Sequence, residues 1–70
     1  MHKYEVIIYW SEVDEAFLAE VPELPDCIAH GDSPQAALES EQQAIDLWLR
    51  RAEELGRSIP QPKGRRLMLA

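Results

Sequence analysis

The chain of 70 residues contains a single cysteine, and this scarcity excludes two ways of stabilising a small domain. One cysteine cannot form an intramolecular disulfide, and it cannot build a cysteine-based zinc cage. A chain of this length buries only about 60% of the surface that it exposes when unfolded. We therefore expect one domain, spanning residues 1–70, that has little stability to spare as a monomer and gains stability by self-association.

Basic residues are also few, at 7 Lys and Arg against 13 Asp and Glu, which gives a formal net charge of −6. This excess of acid opposes a general attraction to nucleic acid or to an anionic membrane. The charge is uneven, because residues 57–70 hold four cations and no acid, whereas residues 1–56 hold three cations and all 13 acids. The basic end either pairs with the acidic body or serves as a docking strip for an acidic partner.

Long apolar runs are missing as well. No segment approaches the length that crosses a bilayer, and the N-terminus MHKYEV lacks the apolar stretch of a secretory signal. Together with a lone, reduced cysteine, these absences predict a cytoplasmic protein. The hydrophobic share of 46% is nevertheless ordinary for a globular domain and too high for a disordered chain.

Residues 4–10, YEVIIYW, predict a first strand because they are rich in β-branched and aromatic side chains. The acidic connector 11–16 is short enough for an antiparallel hairpin with a second strand at 17–21. Alternation along the first strand divides its side chains between two faces. One face carries Tyr4, Val6, Ile8 and Trp10, and the other carries Glu5, Ile7 and Tyr9.

The second face of that strand is apolar at two of its three positions. We therefore expect Ile7 and Tyr9 to be buried between chains in a homo-oligomer, a dimer or a tetramer. Trp10, at the end of the strand, is a candidate for contact with another protein.

The rest of the chain predicts a third strand at 27–31, a helix at 34–55 and a final strand at 65–70. Ser33 is placed to cap the helix, and Gly56 is placed to end it. The expected fold is α+β, with the order β-β-β-α-β, a small mixed sheet and one long helix packed on one face. Apolar residues of the helix recur at three- and four-residue steps and form one stripe, with Glu41 near its edge. The stripe comprises Leu38, Ala44, Ile45, Trp48, Leu49, Ala52 and Leu55.

Several motifs in a fixed order resemble those of the HicB-like antitoxin family. Residues 21–27 read VPELPDC, residues 29–34 read AHGDSP, Trp48 is followed by Leu49, and residues 54–62 read ELGRSIPQP. The resemblance covers about four-fifths of the chain. The positions that match the family's turn motifs are Leu24, Pro25, Asp26, Cys27, Gly31, Asp32 and Ser33.

The resemblance implies a partial ribonuclease-H-like domain that binds a small HicA-like toxin, an RNA-cleaving protein, and blocks its active surface. An acidic antitoxin surface suits a basic RNA-binding surface. Asp26 stands where the family usually has Gly, and Asp tolerates the left-handed conformation that a turn there requires. Many relatives continue into a DNA-binding domain, whereas this chain stops at Ala70, so we expect no operator binding and no direct contact with nucleic acid.

The chemistry-bearing residues predict no enzyme. Ribonuclease-H-type catalysis needs several carboxylates that converge on two metal ions, and the acids from Asp14 to Asp32 are scattered over loops and a strand. His30 has no neighbouring nucleophile or phosphate loop in the sequence, so we interpret it as a half-exposed strand residue. Cys27 is expected to be a small buried hydrophobe. We expect no catalytic residue, no metal site and no cofactor.

Two other functions stay open at this point. The chain could be a solitary oligomeric module that binds a ligand or acts as a scaffold without a toxin. It could also be a nucleic-acid-binding or nuclease domain. A neighbouring gene for a short basic protein would favour the antitoxin over the solitary module, and metal-dependent RNA cleavage would favour the nuclease.

Overall fold

The computed structural model describes residues 3–62 as a three-stranded antiparallel sheet followed by one long helix. This arrangement confirms the predicted α+β class and the order β-β-β-α. The predicted strand at 65–70 lies outside the described residues. The elements are β1 (Ile7–Ser11), β2 (Ala16–Glu20), β3 (Ile28–Gly31) and α1 (Pro34–Leu55).

A tight hairpin joins β1 and β2. The register pairs Ile7 with Glu20 and Ser11 with Ala16, so four residues, 12–15, form the connection. The hydroxyl of Ser11 donates to Asp14 Oδ2 over 2.9 Å and accepts the Asp14 backbone N–H over 3.2 Å. The hairpin confirms the predicted pairing, but β1 begins three residues later than expected.

The residues before β1 belong to the core instead of the sheet. Tyr4 is buried, and its hydroxyl donates to the carbonyl of Pro60, which ties the chain after the helix to the chain before the first strand. Val6 packs against the same core cluster. The start of the chain therefore closes one end of the core before strand pairing begins.

Helix α1 has the predicted boundaries because its local signals are complete. The hydroxyl of Ser33 accepts the Ala36 N–H over 3.0 Å, and Pro34 occupies the first helical position, where no donor is needed. At the other end Gly56 adopts a φ of 70°. The N–H groups of Gly56 and Arg57 then satisfy carbonyls of the last turn, at 3.2 and 2.8 Å.

The helix lies over β3 and β2 and makes little contact with β1. Gly31 brings the start of the helix close to the sheet, because a Cβ at this position would lie 2.5 Å from the backbone nitrogen of Ala37. Ala19 and Ala37 are fully buried at this interface. Small residues at the contact thus fix where the helix crosses the sheet, and that crossing leaves β1 uncovered.

The main core lies between the second half of the helix and the turn that precedes β3. It confirms Cys27 as a buried residue and Trp48 as a helix residue that packs on the core. The cluster contains Tyr4, Val21, Leu24, Cys27 and Ile45, with Val6, Ala44, Trp48 and Leu49 packed against it.

One assignment on the helix was wrong. Leu55, expected in the buried stripe, is 66% exposed. A helix of 22 residues is about 33 Å long, whereas a strand of five residues spans about 17 Å, so the last turn extends past the sheet. Glu41, expected at the edge of the stripe, is 0% exposed because it lies one turn from both Ala37 and Ile45, which face the sheet.

Candidate functional site

Among residues 3–62, strand β1 forms the most exposed apolar surface of consecutive residues. Its four large apolar side chains are between 36 and 51% exposed, although they lie next to one another in a strand. In the described sheet β1 is an edge strand, with β2 on one side only. We call this set of side chains, Ile7, Ile8, Tyr9 and Trp10, the β1 surface.

The register divides the β1 surface between the two faces of the sheet. Ile8 pairs with Ala19 and Trp10 pairs with Phe17, so both lie on the face that carries the helix but beyond the area that the helix covers. The rings of Trp10 and Phe17 meet edge to face, with centroids 5.1 Å apart. This contact orients the indole of Trp10 at the end of the strand and leaves half of it exposed.

Ile7 and Tyr9 lie on the opposite face, as predicted. Tyr9 is opposite Leu18, which in turn is opposite His30, so the three form a row across the sheet. Ile7, Glu20 and Ile28 form a parallel row beside it. We call these six residues the open face, because no element among residues 3–62 packs on it.

Leu18 and Ile28 were not among the residues predicted for this surface. The signal was available, since alternation along β2 and β3 places both on the side of Tyr9. Each of those strands is only four or five residues long, which is too short for alternation alone to reveal which face the helix covers.

Two titratable residues that are far apart in the sequence share one hollow at the open face. Asp14 and His30 line the same shallow hollow, together with Ala16, Leu18 and Ile28. No hydrogen bond joins His30 to any side chain of residues 3–62, and Asp14 is already bonded to Ser11. A general base needs a positioned nucleophile or substrate group within hydrogen-bond reach, and the described residues provide none for His30.

The motif residues before β3 shape a turn. The N–H of Leu24 donates to Val21 O, and the N–H of Cys27 donates to Leu24 O, both over 3.1 Å. Asp26 has a φ of 63°, the left-handed conformation expected at this position. The side chain of Leu24 fills the core beneath the turn, so these residues act by fixing the path of the chain.

The same turn holds the tryptophan of the helix. The Trp48 indole N–H donates to the carbonyl of Pro25 over 2.9 Å. The guanidinium of Arg57 lies 5.6 Å from the centre of the Trp48 ring, within the range of a cation–π contact. Gly31 ends β3, and Asp32 and Ser33 lead directly into the helix, so the second motif also serves the fold.

Cys27 and Glu41 meet between the turn and the helix. Burial raises the pKa of the Glu41 carboxyl to about 7; the Cys27 thiol lowers this pKa and the Glu20 carboxylate raises it. Neither carboxyl oxygen has a partner with full hydrogen-bond geometry, since a thiol is a weak donor. Burial raises the pKa of the Cys27 thiol to about 11, and Glu41 adds to the shift, so the thiol stays protonated and unreactive at neutral pH.

The carboxylates that a nuclease would need do not converge. Within residues 3–62, no group of three or more His, Cys, Asp or Glu side chains is placed to hold a metal ion. The described part of the chain also includes no candidate transmembrane helix.

Comparison with known proteins agrees with the sequence motifs. The family of HicB-like antitoxins of bacterial toxin–antitoxin systems matches residues 4–67. The chain is 33% identical over 57 residues to the UPF0150 protein ssl0259 of Synechocystis sp., an alignment that covers 81% of this chain and 77% of that protein. No solved structure gives a significant match. The chain belongs to the HicB-like antitoxin family of bacterial toxin–antitoxin systems.

Proposed function

We propose that this protein is a non-catalytic antitoxin that acts in the cytoplasm, binds a HicA-like RNA-cleaving toxin and neutralises it by protein–protein contact. Membership of the family supports an antitoxin role. The observation that carries the proposal is the β1 surface, where four consecutive apolar side chains remain exposed on an edge strand. Exposed apolar patches of this kind are typical of protein interaction sites.

The two sides of β1 suit two different partners. Ile7 and Tyr9 on the open face are assigned to contact with another copy of the chain, in a dimer or a tetramer. Trp10, on the other face, is assigned to the toxin, because a half-exposed aromatic ring already oriented by Phe17 loses little freedom on binding. The register supports this division, since it allows both contacts at once.

Charge supports the choice of toxin. Residues 3–62 contain all 13 acids of the chain and four cations, Lys3, Arg50, Arg51 and Arg57. A protein that binds RNA presents a basic surface, and opposite charges speed the encounter between the two proteins and compete with RNA. An antitoxin with this charge can cover such a surface without any chemistry of its own.

Neutralisation of the toxin tests the proposal. The chain is titrated against a HicA-like protein, preferably one that a gene next to its own encodes, and cleavage of an RNA substrate by that protein is measured. We expect the wild-type chain to abolish cleavage at an equimolar ratio. We expect Trp10→Ala to weaken inhibition by about tenfold or more, the usual effect of removing an interface anchor.

Ile59→Ala is the matched control, because Ile59 is a large apolar residue that is also exposed but lies after the helix and outside the β1 surface. This variant should inhibit as well as the wild-type chain. Unchanged RNA cleavage at excess wild-type chain would refute the toxin as partner. Equal losses for the two variants would refute Trp10 as the contact.

A further inference from the structure

A groove of about 340 Å³ lies where the last turns of α1 pass the turn before β3. It is separate from the β1 surface and contains none of the four residues of that surface. The groove is lined by the apolar side chains of Leu47, Trp48 and Leu55 and by the charged side chains of Arg51 and Arg57. Ile28, at the start of the edge strand β3, lines it too and is the one residue that it shares with the open face.

The groove is built by rigid elements. Leu47, Arg51 and Leu55 are four residues apart, so they lie on one face of the helix. Trp48 is held by its hydrogen bond to Pro25 O, and Arg57 is held over the Trp48 ring. The apolar side chains of the groove and the Arg57 guanidinium are therefore in place before anything binds.

Its charge is opposite to that of the molecule. Arg51 and Arg57 are two of only four cations among residues 3–62, which also hold 13 acids. No carboxylate of residues 3–62 forms an ion pair with either guanidinium, and Asp26 is the only acid on the rim. The chemistry of the groove fits an apolar side chain flanked by carboxylates.

The tip of the β1–β2 hairpin has that chemistry. We define the hairpin tip as residues 12–15, which read EVDE. Val13 is 94% exposed and lies between three acids, Glu12, Asp14 and Glu15. The hydrogen bonds between Ser11 and Asp14 hold the turn in shape, so the tip presents its valine and its carboxylates in a fixed arrangement.

The hairpin tip and the groove lie at opposite ends of the sheet. Strand β2 runs from Ala16, beside the tip, to Glu20, and the partner of Glu20 in β3 is Ile28, which lines the groove. Five residues of strand separate the two ends by about 17 Å. No chain can therefore fill its own groove with its own tip.

We propose that the hairpin tip of a second copy of this chain docks in the groove. Val13 of that copy lies between Leu47 and Leu55, and its neighbouring carboxylates face Arg51 and Arg57. Two chains placed side by side in opposite directions make this contact twice. The arrangement closes on itself as a symmetric dimer, and forming the first contact makes the second intramolecular.

Charge favours the hairpin tip of a second copy over other segments or proteins that could occupy the groove. Residues 63–70 of the same chain carry three cations and no acid, so the two arginines of the groove repel them. A basic toxin meets the same repulsion. This contact between two copies does not depend on the proposed toxin. Trp10, which is assigned to the toxin, lies close to the hairpin tip, so a bound toxin would obscure the measurement. The test therefore uses this chain without a toxin.

A charge swap tests the proposal in a Tyr9→Lys background, which removes the separate contact proposed for the open face. Sedimentation velocity is measured at low salt and at concentrations well above the micromolar range, where this weaker contact is expected to form even though Tyr9→Lys is monomeric at micromolar concentration. Arg51→Glu and Glu12→Lys should each weaken self-association by about tenfold, because each places like charges in both contacts of the dimer. An equimolar mixture of the two variants should associate again, since both contacts of the mixed dimer then join opposite charges.

Arg50→Glu is the matched control, because it changes the charge equally one position along the helix and outside the groove. It should leave association unchanged. Equal losses from Arg50→Glu and Arg51→Glu, or a mixture that stays monomeric, would overturn the proposal. A Tyr9→Lys protein that folds, as circular dichroism would show, and does not self-associate would overturn it too.

If Tyr9→Lys does not fold, cross-linking between chains that keep Tyr9 tests the proposal instead. Val13→Cys and Leu47→Cys chains are mixed and oxidised, and the mixed disulfide is measured. It should exceed the disulfide formed between Val13→Cys and Glu53→Cys chains, because Glu53 is exposed on the same helix but does not line the groove. Equal yields would refute the docking of the tip.

Discussion

The carboxyl group of Glu41 lies against the thiol of Cys27 between the helix and the turn before β3, fully shielded from solvent. A carboxylate without hydrogen-bonded partners is unfavourable in such a place. Burial therefore raises its pKa from an ordinary 4.5 to about 7, and the nearby Glu20 carboxylate acts in the same direction. The folded protein holds a proton on Glu41 that the unfolded chain has already released at pH 6.

Stability should depend on pH through this group. Because the folded pKa is raised, the contribution of Glu41 is complete below pH 4.5 and is lost as pH rises through about 7. Glu41→Gln cannot ionise, so we expect it to be more stable than the wild-type chain at pH 8 by about 1–3 kcal/mol, with no such gain at pH 4. Urea denaturation at the two pH values measures the difference.

Glu39→Gln is the control for this prediction, since Glu39 is exposed on the same helix. It should change stability little at either pH. If Glu41→Gln raises the free energy of unfolding as much at pH 4 as at pH 8, the burial of an ionised Glu41 is not the cause of the difference.

The close approach of the helix at Gly31 gives a second prediction. A methyl group there meets backbone atoms of Ala37 and Ala36 at 2.5 and 2.7 Å and the Cβ of Ala36 at 2.8 Å, and backbone atoms of a helix cannot move aside locally. We expect Gly31→Ala to lower the free energy of unfolding by about 1–3 kcal/mol. Chemical denaturation measures the change.

Gly56→Ala is a matched comparison, because open space surrounds Gly56 and only its φ of 70° is unfavourable for alanine. It should lower the free energy of unfolding by about 1 kcal/mol. A Gly31→Ala protein as stable as the wild-type chain would mean that the helix does not begin this close to β3.

The bond between the Trp48 indole and the Pro25 carbonyl yields a third prediction. Trp48→Phe keeps an aromatic ring under Arg57 but removes the donor, so Pro25 O loses its partner. Because the bond is exposed to solvent, we expect a loss of about 0.5–1.5 kcal/mol in the free energy of unfolding. Trp10→Phe should cost less, because the exposed indole of Trp10 can exchange its N–H for water, and equal losses would contradict the role of the bond.

The helix could be predicted to the residue because its signals are local. Ser33, Pro34 and Gly56 each act on backbone groups within a few residues, and no tertiary contact overrides them. The chain order of the strands was predictable for the same reason. The first residue of β1 was not, because Tyr4 has the side chain of a strand residue but lies in the core below the connector at Pro60.

The sequence does not predict which residues become buried where this depends on the point at which the helix crosses the sheet. Helical spacing places Leu55 and Glu41 near the apolar stripe, but only the contact at Gly31 shows that the crossing exposes Leu55 and buries Glu41. The same crossing exposes Ile8 and Trp10, which alternation alone would place under the helix. Alternation alone predicts that Ile7 and Tyr9 share the face opposite the helix, because this does not depend on which strands the helix covers.

Self-association through the open face is the last prediction. Tyr9 is one of the two β1 residues on the open face and is exposed. A lysine at this position would place a charge where a second chain would exclude water. At micromolar concentration we expect the wild-type chain to sediment as a dimer or larger species and Tyr9→Lys to sediment as a monomer. Gln43→Lys adds the same charge on the exposed side of the helix and should leave the oligomer intact. A wild-type chain that is monomeric at this concentration would show that water, and no partner chain, covers Ile7 and Tyr9.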